Sequence, residues 1–116
     1  VIGPSRNLAV WALDRPADMR KSFDGLMALA RDVMDQKPLS GDLFLFVSKD
    51  QRRAKVLYWD GTGLCVLAKR LEQGRFVAPW SRKPPLTFTA SELALFLEGS
   101  TVVGKTPLSP PLFPLS

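Results

Sequence analysis

Apolar and polar positions follow two rhythms along this chain, and the rhythms predict its elements. Asn7 to Leu13 is short and rich in apolar and aromatic residues, which predicts a first strand. Asp14 and Pro16 come next, a capping carboxylate and a fixed backbone angle that suit a helix start. Met19, Phe23, Leu26, Ala30 and Val33 then recur in steps of four and three. That spacing puts them on one helical face and predicts a long helix to about Gln36. Arg20, Lys21, Asp24, Arg31, Asp32 and Asp35 fall mostly elsewhere on it. Lys37-Pro38 ends the helix, because proline disfavours a helical residue before it, and Ser40-Gly41 marks a turn.

Leu43 to Val47 is an unbroken apolar run, too short for a helix, and predicts a buried strand. A charged turn over Lys49-Asp50-Gln51-Arg52-Arg53 leads to a second strand, Lys55 to Trp59. Asp60-Gly61 predicts a tight two-residue turn, and Leu64 to Ala68 the returning strand. Connections this short force the three strands to be antiparallel neighbours. Gln73-Gly74 marks another turn before Arg75-Phe76-Val77, and Pro79, Pro84 and Pro85 break up the stretch after it. Thr89-Ala90-Ser91-Glu92 has the form of a capping box. It opens a short helix carrying Leu93, Leu95, Phe96 and Leu97, which ends at Gly99, where a left-handed cap is cheap. Thr106 to Ser116 holds four prolines and no charge, which serves neither helix nor sheet. No internal repeat is present. The expected fold is α+β: a mostly antiparallel sheet of four to five strands, a long N-terminal helix on one face and a short C-terminal helix. Residues 1–99 form the expected single domain and 100–116 a proline-rich flexible tail.

At 116 residues, 46% of them apolar, the chain suits one domain with a core that needs no disulfide or metal. No apolar run approaches the roughly 20 residues of a membrane helix, and no export pattern opens the chain, so a cytoplasmic protein is expected. The single cysteine, Cys65, lies in the apolar stretch Leu64-Cys65-Val66-Leu67 and is expected to be a small buried hydrophobe. The chain contains no histidine. That excludes Ser-His-Asp and Cys-His nucleophile systems, imidazole bases and His-containing zinc sites. With one cysteine, an all-Cys zinc site within the chain is excluded too. The net charge is +5, unevenly placed. From Lys49 to Lys83 there are nine basic and three acidic residues, and elsewhere seven basic and eight acidic. A concentrated basic segment points to nucleic acid or to an acidic protein surface, or is simply a solvated face.

Two stretches carry a more specific signal: Asp18-Met19-Arg20-Lys21-Ser22-Phe23-Asp24-Gly25-Leu26, and the run from Lys55 through Tyr58-Trp59-Asp60-Gly61-Thr62-Gly63 to Phe76. Together they resemble the TnpB-type accessory proteins of bacteria, the second-reading-frame products of insertion-sequence-66 transposons. Gly3-Pro4-Ser5 and Leu93 to Gly99 share in the resemblance, which covers roughly residues 3–99. Ser22 stands where that family commonly has glycine, and the segment from Ser100 lies outside the resemblance. The resemblance implies an accessory role in transposition without catalytic residues or cofactors. It leaves open whether the protein contacts nucleic acid or the transposase of the same element.

The residues add what they can to that choice. Arg20 and Lys21, off the apolar helix face, and Arg52, Arg53, Lys55, Lys69, Arg70 and Arg75, in and beside the strands, are the candidate nucleic-acid contacts. If their strands are adjacent, the two later groups share one basic surface. Arg20 and Lys21 have an alternative in pairing with Asp24 along the helix, and Asp18 in matching the helix dipole. Tyr58, Trp59 and Phe76 interleave with the cations and could stack on bases. Tyr58 and Trp59 are consecutive, however, so a strand turns them to opposite faces, and at least one belongs to the core. Asp60-Gly61-Thr62-Gly63 lacks the spacing, the Lys-Ser/Thr and the helix of a phosphate loop. Asp18, Asp24, Asp42, Asp50 and Asp60 are scattered and form no compact motif for two-metal chemistry. The favoured function is therefore a non-catalytic transposition accessory protein that binds DNA, at transposon ends, through a basic surface. The alternatives are an adaptor that binds the transposase without touching DNA, and a cryptic nuclease.

Overall fold

The most apolar strand lies at the centre of the sheet. The computed structural model describes residues 8–81, 87–98, 102–103 and 106–107. Five strands run in the order β4-β3-β2-β1-β5. They are β1 Val10–Ala12, β2 Leu43–Val47, β3 Arg53–Trp59, β4 Leu64–Arg70 and β5 Thr87–Phe88. Every residue of β2 is buried. Leu43, Leu45 and Val47 join Val10, Ala12, Ala54 and Val56 on one face, under Phe76, Leu93 and Phe96. Phe44 and Phe46 join Leu57 on the other, under Leu26 and Ala30. A strand covered on both faces has no polar side, which is why β2 reads as a continuous apolar run.

The strands β2, β3 and β4 are antiparallel neighbours as expected. β1 pairs with β2 in parallel and with β5 antiparallel, so the sheet is mixed. Parallel neighbours need a crossover of a dozen residues or more. Here the crossover holds α1, Phe23–Ala28, and a π-helical turn, Leu29–Val33. Asp42 ties the two strand starts together, accepting from the Ala9 amide at 3.3 Å and the Trp11 indole at 3.1 Å.

The first helix is shorter than its periodicity predicts, and the reason is tertiary. After β1 the backbone stays beside β2: the amides of Leu13 and Ala17 donate to the carbonyls of Leu45 and Val47, at 3.0 and 2.9 Å. The Asp18 carboxylate then accepts from the Arg20 amide at 2.9 Å, and the Lys21 amide closes on the Asp18 carbonyl at 3.1 Å. The Lys55 ammonium donates to the carbonyls of Met19 and Lys21, both at 2.8 Å. In a helix those carbonyls would accept from amides four residues on. Arg20 and Lys21 therefore precede the helix instead of riding on it. Ser22 is the N-cap, without a side-chain cap bond. Phe23 and Val33, expected on the buried face, are 46% and 40% exposed, while Leu26 and Ala30 are fully buried. The ending also differs. The Met34 amide bonds the Leu29 carbonyl at 3.0 Å, and Asp35 takes a left-handed φ of 55°, ahead of Lys37-Pro38.

The β3–β4 connection is a four-residue loop where a two-residue turn was expected. The Asp60 amide donates to the Gly63 carbonyl at 3.1 Å, and Gly61 alone takes positive φ, at 104°. The Asp60 carboxylate replaces the missing ladder bonds, accepting from the Thr62 amide and hydroxyl and the Gly63 amide within 3.0 Å. Cys65 is half-buried, its Sγ 3.5 Å from that carboxylate.

Beyond β4, the Leu71 to Val77 segment forms no strand. It folds over the β2–β3 turn, where Gln51 (φ 63°) and Phe76 exchange two bonds: Phe76 amide to Gln51 carbonyl at 2.6 Å, and Gln51 Nε2 to Phe76 carbonyl at 2.8 Å. Phe76 stacks on Phe96 of α2 (Ala90–Leu97), ring centroids 5.2 Å apart. The capping box of α2 is present in both directions, at 3.2 and 2.8 Å. Gly99 and most of the segment expected to be a tail lie outside the described residues. Within that segment β6 Val102–Val103 and β7 Thr106–Pro107 pair antiparallel. No helix among the described residues is long and apolar enough to cross a membrane.

Candidate nucleic-acid interface

β3 and β4 bring the two basic groups together. Their ladder runs from Trp59↔Leu64 to Arg53↔Arg70. Bonds just past its ends, Asp60 amide to Gly63 carbonyl and Leu71 amide to Arg52 carbonyl, set its alternation. Arg53 and Arg70 are then a non-hydrogen-bonded pair, the kind whose Cα atoms stand only about 4.5 Å apart and whose side chains leave the same face. Like charges directly opposite oppose sheet formation by roughly 0.2–1 kcal/mol. Both arginines are exposed. Arg70 pairs with Glu72 at 2.9 Å, while no ion pair closes on Arg53 among the described residues.

A groove of about 570 Å³ opens at this end of the hairpin. Met19 and Ala68 give it apolar lining, and Arg53, Lys55, Lys69, Arg70 and Glu72 its charge. Lys55 stands on the same face as Arg53, but its ammonium is occupied by the Met19 and Lys21 carbonyls. It holds the preceding loop against the sheet and is a structural cation first. Lys69 pairs with Ala54, so its side chain leaves the opposite face and reaches the groove only at the sheet edge.

The other candidates sit around this centre with different freedom. Arg20 forks onto Asp18 at 2.8–3.2 Å, yet its side chain is 91% exposed, and such surface pairs are weak enough to exchange for another anion. The alternative pairing with Asp24 is not among the ion pairs of the described residues, because Arg20 lies before the helix. Lys21 lies beside Lys55 through its own carbonyl, and its stem passes over Gly25, where a Cβ would meet the Lys21 Cβ and Cγ at 3.0 Å. Arg52 is exposed at the β2–β3 turn, and Arg75 is exposed beside Phe76, which is tied to that turn. The structure thus gathers Arg53, Lys55, Arg70 and the 19–21 backbone on one face. It places Lys69 on the other, and Arg52 and Arg75 at the turn.

The carboxylates nearby serve backbone and cations. The Arg20 guanidinium and amide hold Asp18 down at about 2. The amides of Thr62 and Gly63, with the Thr62 hydroxyl, do the same for Asp60, also to about 2. The Ser48 hydroxyl, at 2.6 Å, and the Arg52 amide lower Asp50, with a longer-range contribution from Arg53 and Arg52. Among the described residues no group of three or more His, Cys, Asp or Glu side chains is placed to hold a metal ion. Base stacking finds little here: Phe76 is 2% exposed in the core, and Tyr58 packs half-buried against the cluster beneath α2. Burial also raises the Tyr58 phenol. Trp59 is half-buried on the α1 face.

Met19 and Glu72 were not expected at this site. Met19 has the spacing of a helix-core residue, and nothing in its neighbours announces that the chain stays non-helical there. Glu72 follows Arg70 by two, just past the strand end, and pairs with it at 2.9 Å.

The family described as IS66 Orf2 like protein matches residues 8–106, reaching past Ser100. The chain is 35% identical to the Sinorhizobium fredii protein y4jC over 99 residues, 85% of each chain. It is 34% identical to y4hO of the same organism over 94 residues, 81% of this chain and 82% of that one. No solved structure matches it.

Proposed function

Since the chain belongs to the IS66 Orf2-like family, accessory proteins of transposition, we propose that it serves that process by gripping the phosphate backbone of DNA at the β3–β4 groove, with no chemical step of its own. The observation that carries this is the Arg53↔Arg70 pair. Two cations face each other across a ladder at a cost to folding, on the rim of an open groove, and among the described residues Arg53 has no ion pair. A phosphate between them relieves the repulsion that the folded protein alone retains. Arg20 and Lys21, next to the lining residue Met19 in the chain, and Arg52, next to Arg53, are the further candidates, with Arg75 beside Phe76 at the β2–β3 turn. The transposon ends are the natural DNA for an accessory protein of this kind, and the transposase of the same element its natural neighbour.

The test is fluorescence anisotropy of a labelled transposon-end duplex against a scrambled duplex at three salt concentrations. The expected result is binding that weakens with salt, each phosphate contact adding about 0.9 to the logarithmic slope. Arg53→Ala and Arg70→Ala should each lower that slope by about one contact and weaken both duplexes alike. Salt-independent binding, or none at low salt, refutes the reading.

One observation favours an adaptor. Phe23 and Val33 are exposed although the helical rhythm places them on the buried face. Under that reading the protein co-purifies with transposase after nuclease treatment, and Phe23→Ser abolishes the association without altering the fold.

A further inference from the structure

β4 closes the sheet on one side, and among the described residues no strand pairs with its outer edge. It pairs with β3 residue for residue over its whole length, with no bulge, proline or glycine. The alternation set at the two ends of that ladder turns the N–H and C=O groups of Leu64, Val66, Ala68 and Arg70 outward. Free edges template another strand, and folded proteins usually blunt them with charge, proline, bulges or short strands. Here the charge is confined to Lys69 and Arg70 at one end, and Leu67 in mid-strand is 49% exposed.

We infer that this edge joins two copies of the chain, β4 against β4, antiparallel about a twofold axis at Leu67. The outward groups lie on even-numbered residues, so bonded pairs across the axis must join even to even. Centring on Leu67 pairs Val66 with the partner's Ala68 and Leu64 with the partner's Arg70, each exchanging two bonds. Leu67 then meets the partner's Leu67 in a non-hydrogen-bonded pair, where side chains approach most closely. Lys69 comes opposite the partner's Cys65. The Cys65 thiol lies 3.5 Å from the Asp60 carboxylate, so each ammonium arrives beside an anion of the other copy. Moving the axis to Lys69 sets the two Lys69 side chains directly opposite, and moving it to Ala68 sets them diagonally across from each other; like charge opposes both. The twofold runs through the sheet, so both Arg53–Arg70 grooves open on the same side, with the two Arg70 positions roughly 20 Å apart along the strand direction. The pairing rests on the sheet edge alone and stands whether or not the protein binds DNA.

Sedimentation equilibrium of the full chain, free of nucleic acid, tests it. The expected mass is twice 12.8 kDa. Leu67→Lys places like charges across the axis. Ala68→Pro removes an outward N–H at an exposed position that edge strands tolerate, leaving the bonds to β3 intact. Both variants should sediment as monomers with an unchanged far-UV spectrum. In a Cys65→Ala background, Leu67→Cys should form an interchain disulfide on mild oxidation, since about 4.5 Å between Cα atoms suits one, and Ala68→Cys should not. A wild type that stays monomeric at its highest soluble concentration overturns the inference. So does a dimer that survives in both Leu67→Lys and Ala68→Pro, or equal crosslinking at both cysteine positions.

Discussion

Replacing Lys55 by Met separates the structural cation of the groove from those proposed to grip DNA. Lys55 donates to the Met19 and Lys21 carbonyls, both at 2.8 Å, one bond partly buried and the other exposed. A hydrogen bond with a charged partner contributes about 1.5–3 kcal/mol in a sheltered setting. The exposed one is discounted, because water replaces the ammonium at the Lys21 carbonyl. Met keeps most of the apolar stem, so packing changes little. The sum is a loss of about 2 kcal/mol, which at roughly 4 °C per kcal/mol for a chain of this size lowers Tm by roughly 8 °C. Arg53→Ala is the counterpart. It relieves the repulsion with Arg70 and should leave stability within about 0.5 kcal/mol of wild type, or slightly above it. Urea unfolding of both variants, alongside their DNA anisotropy curves, reads the two effects separately. The reasoning fails if Lys55→Met unfolds at the wild-type midpoint, or if Arg53→Ala is the less stable of the two.

Asp35 holds a left-handed φ of 55° at the end of the π-helical turn, with its side chain exposed. Asp35→Gly should raise stability by about 0.5–1 kcal/mol in thermal melts, because glycine occupies that region without a Cβ clash. Asp60 titrates at about 2 in the folded protein against 3.8 for the free group. Its contribution is complete above pH 3.8 and disappears as pH falls toward 2, so Asp60→Asn should flatten the acid limb of a stability–pH curve over that window. Phe96 is 1% exposed and stacked on Phe76 at 5.2 Å. Phe96→Ala should cost about 3–5 kcal/mol in urea unfolding and free the Leu71 to Val77 segment to faster amide exchange.

Local chemistry made several elements legible in the chain itself. Leu43 to Val47 is apolar at every position because both of its faces are covered. The hairpins on either side of β3 are too short for any other pairing. The Thr89 to Glu92 box is closed by atoms three residues apart. That the two basic groups share a strand pair was legible for the same reason, since β3 and β4 must be neighbours; the Arg53↔Arg70 register was not, because it depends on a four-residue loop in place of the two-residue turn that Asp60-Gly61 predicts. The features that stayed hidden depend on atoms far apart in sequence. Lys55 takes two carbonyls that a helix would use, 36 and 34 residues before it, and so shortens the helix that Met19 to Val33 predicts. The same displacement exposes Phe23, moves Arg20 and Lys21 off the helix, and carries Met19 into the groove. β1 reaches β2 in parallel only through the crossover between them, a choice no short-range pattern records. Phe76, which alternates with basic residues as a stacking aromatic would, is buried by a ring from α2. Residue type and short spacing determined which segments form elements and which cations share a strand pair. The tertiary structure decided which of those cations are already engaged, because backbone carbonyls and carboxylates compete for them only once distant parts of the chain are brought together.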